Sequence, residues 1–131
     1  DIPYIAAKKK DNGFDRFVSK EGNEEYISNG NGIVFVNLGD GSGGYSTYQP
    51  EPFIGMNGKT SVGYSEHLNK YTAMFLITIL DKERYKYSFG RSWSGERFKN
   101  TELYLPKNNL GEIDWLYIEE YIKSLPYANL I

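Results

Sequence analysis

Residues 69–80 read NKYTAMFLITIL and are apolar nearly all round. The stretch is too long for an ordinary strand, and its Leu, Ala and Met favour helix. It predicts a buried helix with Asn69 as N-cap, because a helix without a polar face has to be covered by other elements. The rest of the chain offers mainly strands as cover. Residues 2–6, 14–18, 32–38 (GIVFVNL), 53–56 and 60–64 carry strand patterns, the last two around an Asn57-Gly58 turn. Pro3 suits a strand start or an edge, and KKKDNG at 8–13 reads as a turn. Near the end Asp114 can cap WLYIEEYIKSL, in which Trp115, Ile118, Ile122 and Leu125 share one face before Pro126. Glu119 and Glu120 are expected to face solvent. These elements predict an α+β fold: a curved, mostly antiparallel sheet with a buried helix and a C-terminal helix.

A chain of 131 residues fits one domain, and no internal repeat or domain linker interrupts it. With no cysteine, disulfides, thiolate metal sites and a Cys nucleophile are excluded, which fits a reducing cytoplasm. No apolar run reaches the ~20 residues of a membrane span. Fifteen basic residues against seventeen acidic give a net charge of −2, so any nucleic-acid contact has to come from local charge. Two basic clusters qualify. Arg84, Lys86, Arg91, Arg97 and Lys99 are opposed within their segment by Glu96 alone, and Lys8, Lys9 and Lys10 form the second cluster.

Catalytic and metal motifs fail on spacing. Gly58-Lys59-Thr60 is not a phosphate loop, since Phe53 stands where the first glycine belongs. DGSGG carries one carboxylate, Asp40, and lacks the alternating oxygen ligands of a calcium loop. The single histidine, His67, has no companion ligands and reads as structural or solvent-facing. Neither a G-x-S-x-G elbow nor a carboxylate pair in a recognisable cleft is found.

Two segments keep a binding character. Residues 38–53, LGDGSGGYSTYQPEPF, hold Gly39, Gly41, Gly43 and Gly44 and then present Tyr45, Tyr48 and Gln49. Glycines let a backbone approach a ligand closely, so this is either a binding loop or a Gly-rich hairpin with Tyr45 and Tyr48 in the core. Residues 87–99, YSFGRSWSGERFK, set Arg91 and Arg97 beside Ser92 and Trp93. Arginine can fork onto guanine O6 and N7 or grip a phosphate, serine can donate to phosphate, and Trp93 can stack, wedge or pack into the core.

The succession IPYIAAKKKDNGF, GDGSGGYSTYQPEPF, LNKYTAMFLITIL, YKYSFGRSWSGERFKNTELYLP and IDWLYIEEYIKSLPY resembles the target recognition domain of BcgI-like restriction-modification enzymes, related to the specificity subunits of type I systems. The resemblance runs through nearly the whole chain, and GR-x-W-x-x-ER with the final YIKSLPY are its most specific parts. It implies a non-catalytic, cytoplasmic reader of double-stranded DNA that needs no cofactor and directs a methyltransferase/nuclease subunit of the same system. Neither the Asn-Pro-Pro-Tyr methylation motif nor an Asp/Glu-Lys nuclease site is evident in the chain. Residues 1–112 are then the recognition domain, and 113–131 the C-terminal helix that starts a spacer or partner-contact element. The chain is expected to be a fragment of a larger specificity protein or a stand-alone subunit.

The glycine-rich segment is then expected on the DNA side, with Gln49 able to read adenine N6 and N7 and the tyrosines able to meet phosphate or thymine methyl. Expected DNA contacts are Lys8, Lys9, Lys10, Asn12, Tyr45, Tyr48, Gln49, Lys59, Arg91, Ser92, Trp93 and Arg97. Arg91 has three readings: a base contact, a phosphate contact, or a brace against Glu96 or Asp40. A carbohydrate- or protein-binding module using exposed Tyr and Gly is the alternative from another class, and a free-standing nuclease the third.

Overall fold

The computed structural model describes residues 1–37, 45–83 and 103–131. In chain order the described elements are β1 (Ile2–Ile5), β2 (Phe14–Val18), β3 (Gly32–Val36), β4 (Ser46–Gln49), β5 (Ile54–Gly55), β6 (Thr60–Gly63), α1 (Lys70–Glu83) and α2 (Trp115–Lys123). Short 3-10 turns occur at Lys10–Gly13, Glu24–Tyr26 and Ala128–Leu130. The fold is α+β and mostly antiparallel, as expected, and its strands divide between two sheets, β2-β1-β5 and β4-β3-β6. Only β1 and β5, among the described pairs, run parallel.

Strand β3 explains the layering. Successive side chains of a strand point to opposite faces, and here both faces are covered. Ile33 joins Tyr48, Leu68, Ala73 and Ile77 in a core closed by Phe35, Met74 and Leu76, which places α1 on one face. Val34 joins Ile5 and Phe53, with Val62 against them, which places the β2-β1-β5 sheet on the other. Phe53 is fully buried at that junction, and burying such a ring stabilises by about 1.5–3 kcal/mol. The β4-β3-β6 sheet is thus a central layer, so residues at its ends and outer edge are held from both sides.

Both helices start on side-chain caps. Asn69 Oδ1 accepts from the backbone N–H of Tyr71 (2.9 Å) and Thr72 (3.0 Å), while Thr72 Oγ1 accepts from Asn69 N–H at 2.9 Å. Asp114 Oδ1 accepts from Tyr117 N–H at 2.9 Å. Each cap satisfies donors that the first turn leaves open. α2 packs on α1 through buried Ile118 and Ile122, with Tyr121 edge-on to Phe75 at 6.1 Å. Trp115 stacks on His67, the rings 5.1 Å apart and 7° from parallel. Leu125, the fourth residue of the expected face, is exposed.

Glu119 departs from expectation. It is half-buried, because Asn69 Nδ2 donates to its Oε1 at 2.7 Å and Lys123 Nζ to its Oε2 at 2.8 Å. The Lys123 hydrogen bond first, and that of Asn69 second, hold its carboxyl below the ordinary value. Glu120 is exposed. Among the described residues, no helix is long and apolar enough to cross a membrane.

Candidate nucleic-acid interface

The turn after β1 contains two non-glycine residues in the left-handed region, Asp11 (φ 55°, ψ 32°) and Asn12 (φ 54°, ψ 34°), followed by Gly13 at φ 81°. Left-handed backbone costs an L-residue roughly 1–2 kcal/mol, and Asp and Asn tolerate it best. Gly13 meets a stricter demand, since a Cβ there would lie 2.9 Å from Ile5 Cγ2 in addition to the positive φ. Its carbonyl accepts from Ala6 N–H at 2.8 Å.

What holds the turn is the outer edge of β4. Tyr45 O accepts from Val36 N–H in the β3–β4 hairpin, so by alternation the carbonyls of Ser46 and Tyr48 point away from β3. Lys9 Nζ donates to Ser46 O at 2.7 Å, and Asn12 Nδ2 donates to Tyr48 O at 2.8 Å. In return Gln49 Nε2 donates to Asn12 O (2.8 Å) and to Thr47 Oγ1 (3.1 Å). Lys9 also pairs with Asp81 of α1 at 3.0 Å. These contacts close a strand edge that would otherwise offer unpaired carbonyls, and they satisfy the buried side chains of Thr47 and Gln49.

The described flanks of the glycine-rich and arginine-bearing segments converge. Asn37, just before residues 38–44, donates its backbone N–H to Lys59 O (2.9 Å) and its Nδ2 to Ser61 Oγ (3.0 Å). Tyr45 follows that segment at the start of β4, level with Val36. Phe35 and Leu103 both pack against Leu80, near the end of α1, and Leu103 follows residues 84–102. Phe35 is paired in register with Ser46 and Ser61. All four flanks therefore meet at one end of the β4-β3-β6 sheet, and Lys9, bridging Ser46 and Asp81, ties that end together.

The twelve expected contact residues fall into three groups. Arg91, Ser92, Trp93 and Arg97 lie outside the described residues. Lys10 and Lys59 are exposed, and Lys8 and Tyr45 half-buried. Lys9, Asn12, Tyr48 and Gln49 make hydrogen bonds or an ion pair within the fold. Tyr48 sits in the core and donates its hydroxyl to Asn31 Oδ1 at 2.7 Å, while Tyr45 is half-buried. Burial, with nearby Glu51 adding to it, pushes its phenol above the ordinary value. Gln49 is buried, and its amide nitrogen is committed to Asn12 and Thr47. Lys9, at 36% side-chain exposure, donates to β4 and pairs with α1, and Asn12, which is exposed, donates to β4.

Asp11 is exposed in this turn. The D-N-G tripeptide was the available signal, because such residues favour left-handed turns. Among the described residues no group of three His, Cys, Asp or Glu is placed to hold a metal ion.

Comparison with known proteins places the chain in a family. The family model described as "Type I restriction modification DNA specificity domain" matches residues 1–126. A curated relative, the "Type II restriction enzyme BgcI specificity subunit S.BcgI" of Heyndrickxia coagulans, is 24% identical over 125 residues, covering 95% of this chain. The chain spans 35% of that relative's length. No solved structure matches the chain. A specificity domain of this kind is a non-catalytic component of a restriction-modification system. Matched over residues 1–126 of its 131, the chain belongs to the family of type I restriction-modification DNA specificity domains.

Proposed function

We propose that this chain recognises a short sequence in double-stranded DNA and thereby directs a methyltransferase/nuclease subunit of the same, BcgI-like system in a bacterial cytoplasm. The observation that carries the reading is the convergence of flanks at one end of the β4-β3-β6 sheet. Asn37 and Tyr45, on either side of residues 38–44, lie at the end of the sheet where Phe35 packs on Leu80, and Leu103, which follows residues 84–102, packs on Leu80 as well; Lys59 accepts from Asn37 there. A glycine-rich backbone close to phosphates and an arginine close to base edges then act on one duplex. Lys8, Lys10 and Lys59 add positive charge for phosphate contact.

Residues 1–112 form the reading body in this account, and 113–131 the partner-contact element. Support for the second part comes from α2, where Leu116 is 70% exposed and Tyr117 is exposed as well. Exposed apolar side chains suit a partner subunit.

The test is methylome mapping with the locus present and deleted, followed by substitution of Arg91. The account expects one motif to disappear with the locus. Arg91→Ala should relax one position of that motif at a cost of about 1–3 kcal/mol. Rescue by Arg91→Lys would reassign Arg91 to a phosphate. An unchanged methylome on deletion would contradict the proposal.

A further inference from the structure

We propose that Lys9 is a positioning residue for DNA recognition: with Asp81 it holds the sheet end from which both binding segments depart, and it touches no phosphate itself. The inference rests on the DNA-reading function above. Lys9 belongs to the connection between β1 and β2, yet its ammonium donates to Ser46 O on β4 at 2.7 Å and pairs with Asp81 Oδ2 on α1 at 3.0 Å. One side chain thereby joins the three layers of the fold. Both anchors lie where the flanks converge. Ser46 is the register partner of Phe35 and follows Tyr45, the residue after the glycine-rich segment. Asp81 follows Leu80, on which Phe35 and Leu103 pack, and stands in the last turn of α1 before residues 84–102.

The same end holds buried polar atoms that the fold leaves unpaired. Among the described residues these are Asn37 Oδ1, Ser46 Oγ and Asp81 Oδ1. Directly opposed residues of paired strands point to the same face. Ser46 and Ser61, both opposite Phe35, therefore share its α1-facing side, and Asn37 reaches Ser61 Oγ through its Nδ2 at 3.0 Å. Orphaned buried groups lose hydration without gaining a partner and call for a reason beyond packing. An end carrying three such atoms is weakly held by its own hydrogen bonds, and Lys9 supplies what they lack, a donor that reaches across the layers.

Positioning and gripping make different demands on the pair. Base reading needs side chains held to within about 0.5 Å by supports that do not themselves touch the ligand. An ammonium already shared between a carbonyl and a carboxylate is poorly suited to a phosphate, because Asp81 offsets its charge. With side chains 36% and 29% exposed, the pair adds little to overall stability, so its effect is local.

The experiment selects a duplex from a randomised pool with the wild-type chain. Affinity for that duplex and for a scrambled one is then measured against salt for Lys9→Met, Asp81→Ala and the double variant, with melting temperatures alongside. Each single variant should melt within a few degrees of wild type and lose about tenfold in discrimination between the two duplexes, at unchanged salt slope. The double variant should lose no more than Lys9→Met, because both changes break one contact. If Lys9 instead grips a phosphate, Lys9→Met lowers the slope by about one contact, and Asp81→Ala, which frees the ammonium, tightens binding to both duplexes. Either result overturns the inference, as does full discrimination in both single variants. Asp81→Ala keeps every basic residue and introduces a good helix former, so it decides the question alone if Lys9→Met does not fold. A wild-type chain that selects no duplex overturns the DNA-reading function, and this inference with it.

Discussion

β4 and β2 are both edge strands, yet they are treated in opposite ways. All four residues of β4 are buried, and its outer carbonyls are capped by Lys9 and Asn12 from a turn more than thirty positions earlier. β2 leaves Asp15, Arg16 and Phe17 exposed, with Arg16 paired to Asp15 and its guanidinium 4.4 Å from the centre of the Tyr4 ring. Charged residues along β2 discourage pairing with another chain without ordering anything beyond it. The seal on β4 does more. It joins the two sheets and α1 and fixes the end where the flanks of both binding segments meet. One edge is closed by side chains from another part of the chain, and the other is merely blunted by its own charges.

The largest break in that comparison should come from the interlayer core. Phe53→Ala removes a fully buried ring between the sheets and should cost about 3–5 kcal/mol by denaturant unfolding. Phe17→Ala, on exposed β2, should stay within about 0.5 kcal/mol. Equal losses would mean that β2 is as integral as β4. Ile122→Asp comes next, by a charge buried at the α1–α2 contact. It should lower stability by several kcal/mol or block complex assembly and leave the methylated motif unchanged. An altered motif would count against separate reading and partner-contact regions.

The seal itself is tested by Gln49→Leu. This change leaves Asn12 O and Thr47 Oγ1 without their donor and should cost about 1–3 kcal/mol. Randomised-duplex selection should then show weaker discrimination at several positions together, since the whole turn loosens. Loss at a single position would return Gln49 to a direct base contact.

The smallest effect is electrostatic. The carboxyl of Glu119 lies below its ordinary value, chiefly through Lys123 and then Asn69. A depressed carboxyl contributes stability above its unfolded value, and that stability is lost as pH falls through the folded one. The Lys123 amine is raised, mainly by the Glu119 hydrogen bond, so its share is present below the unfolded value and lost as pH rises through the folded one. Glu119→Gln should flatten the acid limb of the melting-temperature profile slightly, and an unchanged limb would show the pair to be inert.

Local signals made much of the fold legible. Asn69 and Asp114 announce both helix starts, and each makes the cap hydrogen bonds its position promised. Five of the six described strands overlap segments with strand patterning. β4 was hidden because its glycine neighbours, tyrosines and glutamine suited a ligand loop equally well. The β-favouring Thr47 and Tyr48, bounded by glycines and Pro50, were the signal for a strand. Partners of the expected site residues were not legible, since Lys9 meets Asp81 and Gln49 meets Asn12 only after folding. A lysine cluster reads as a phosphate grip until the structure gives its middle member to a carboxylate and a strand edge. Within KKKDNG, topology sets Lys9 and Asn12 to hold β4 and leaves Lys10 and Asp11 exposed.

The central claim, a DNA reader built on one end of the central sheet, is tested most directly by duplex affinity against salt concentration. For a duplex recovered by selection, the logarithm of affinity should fall linearly with the logarithm of salt, by about 0.9 per phosphate contact. Lys59→Ala should reduce that slope by about one contact. A salt-independent affinity, or no duplex binding beside firm retention on a carbohydrate or protein ligand, would contradict the account.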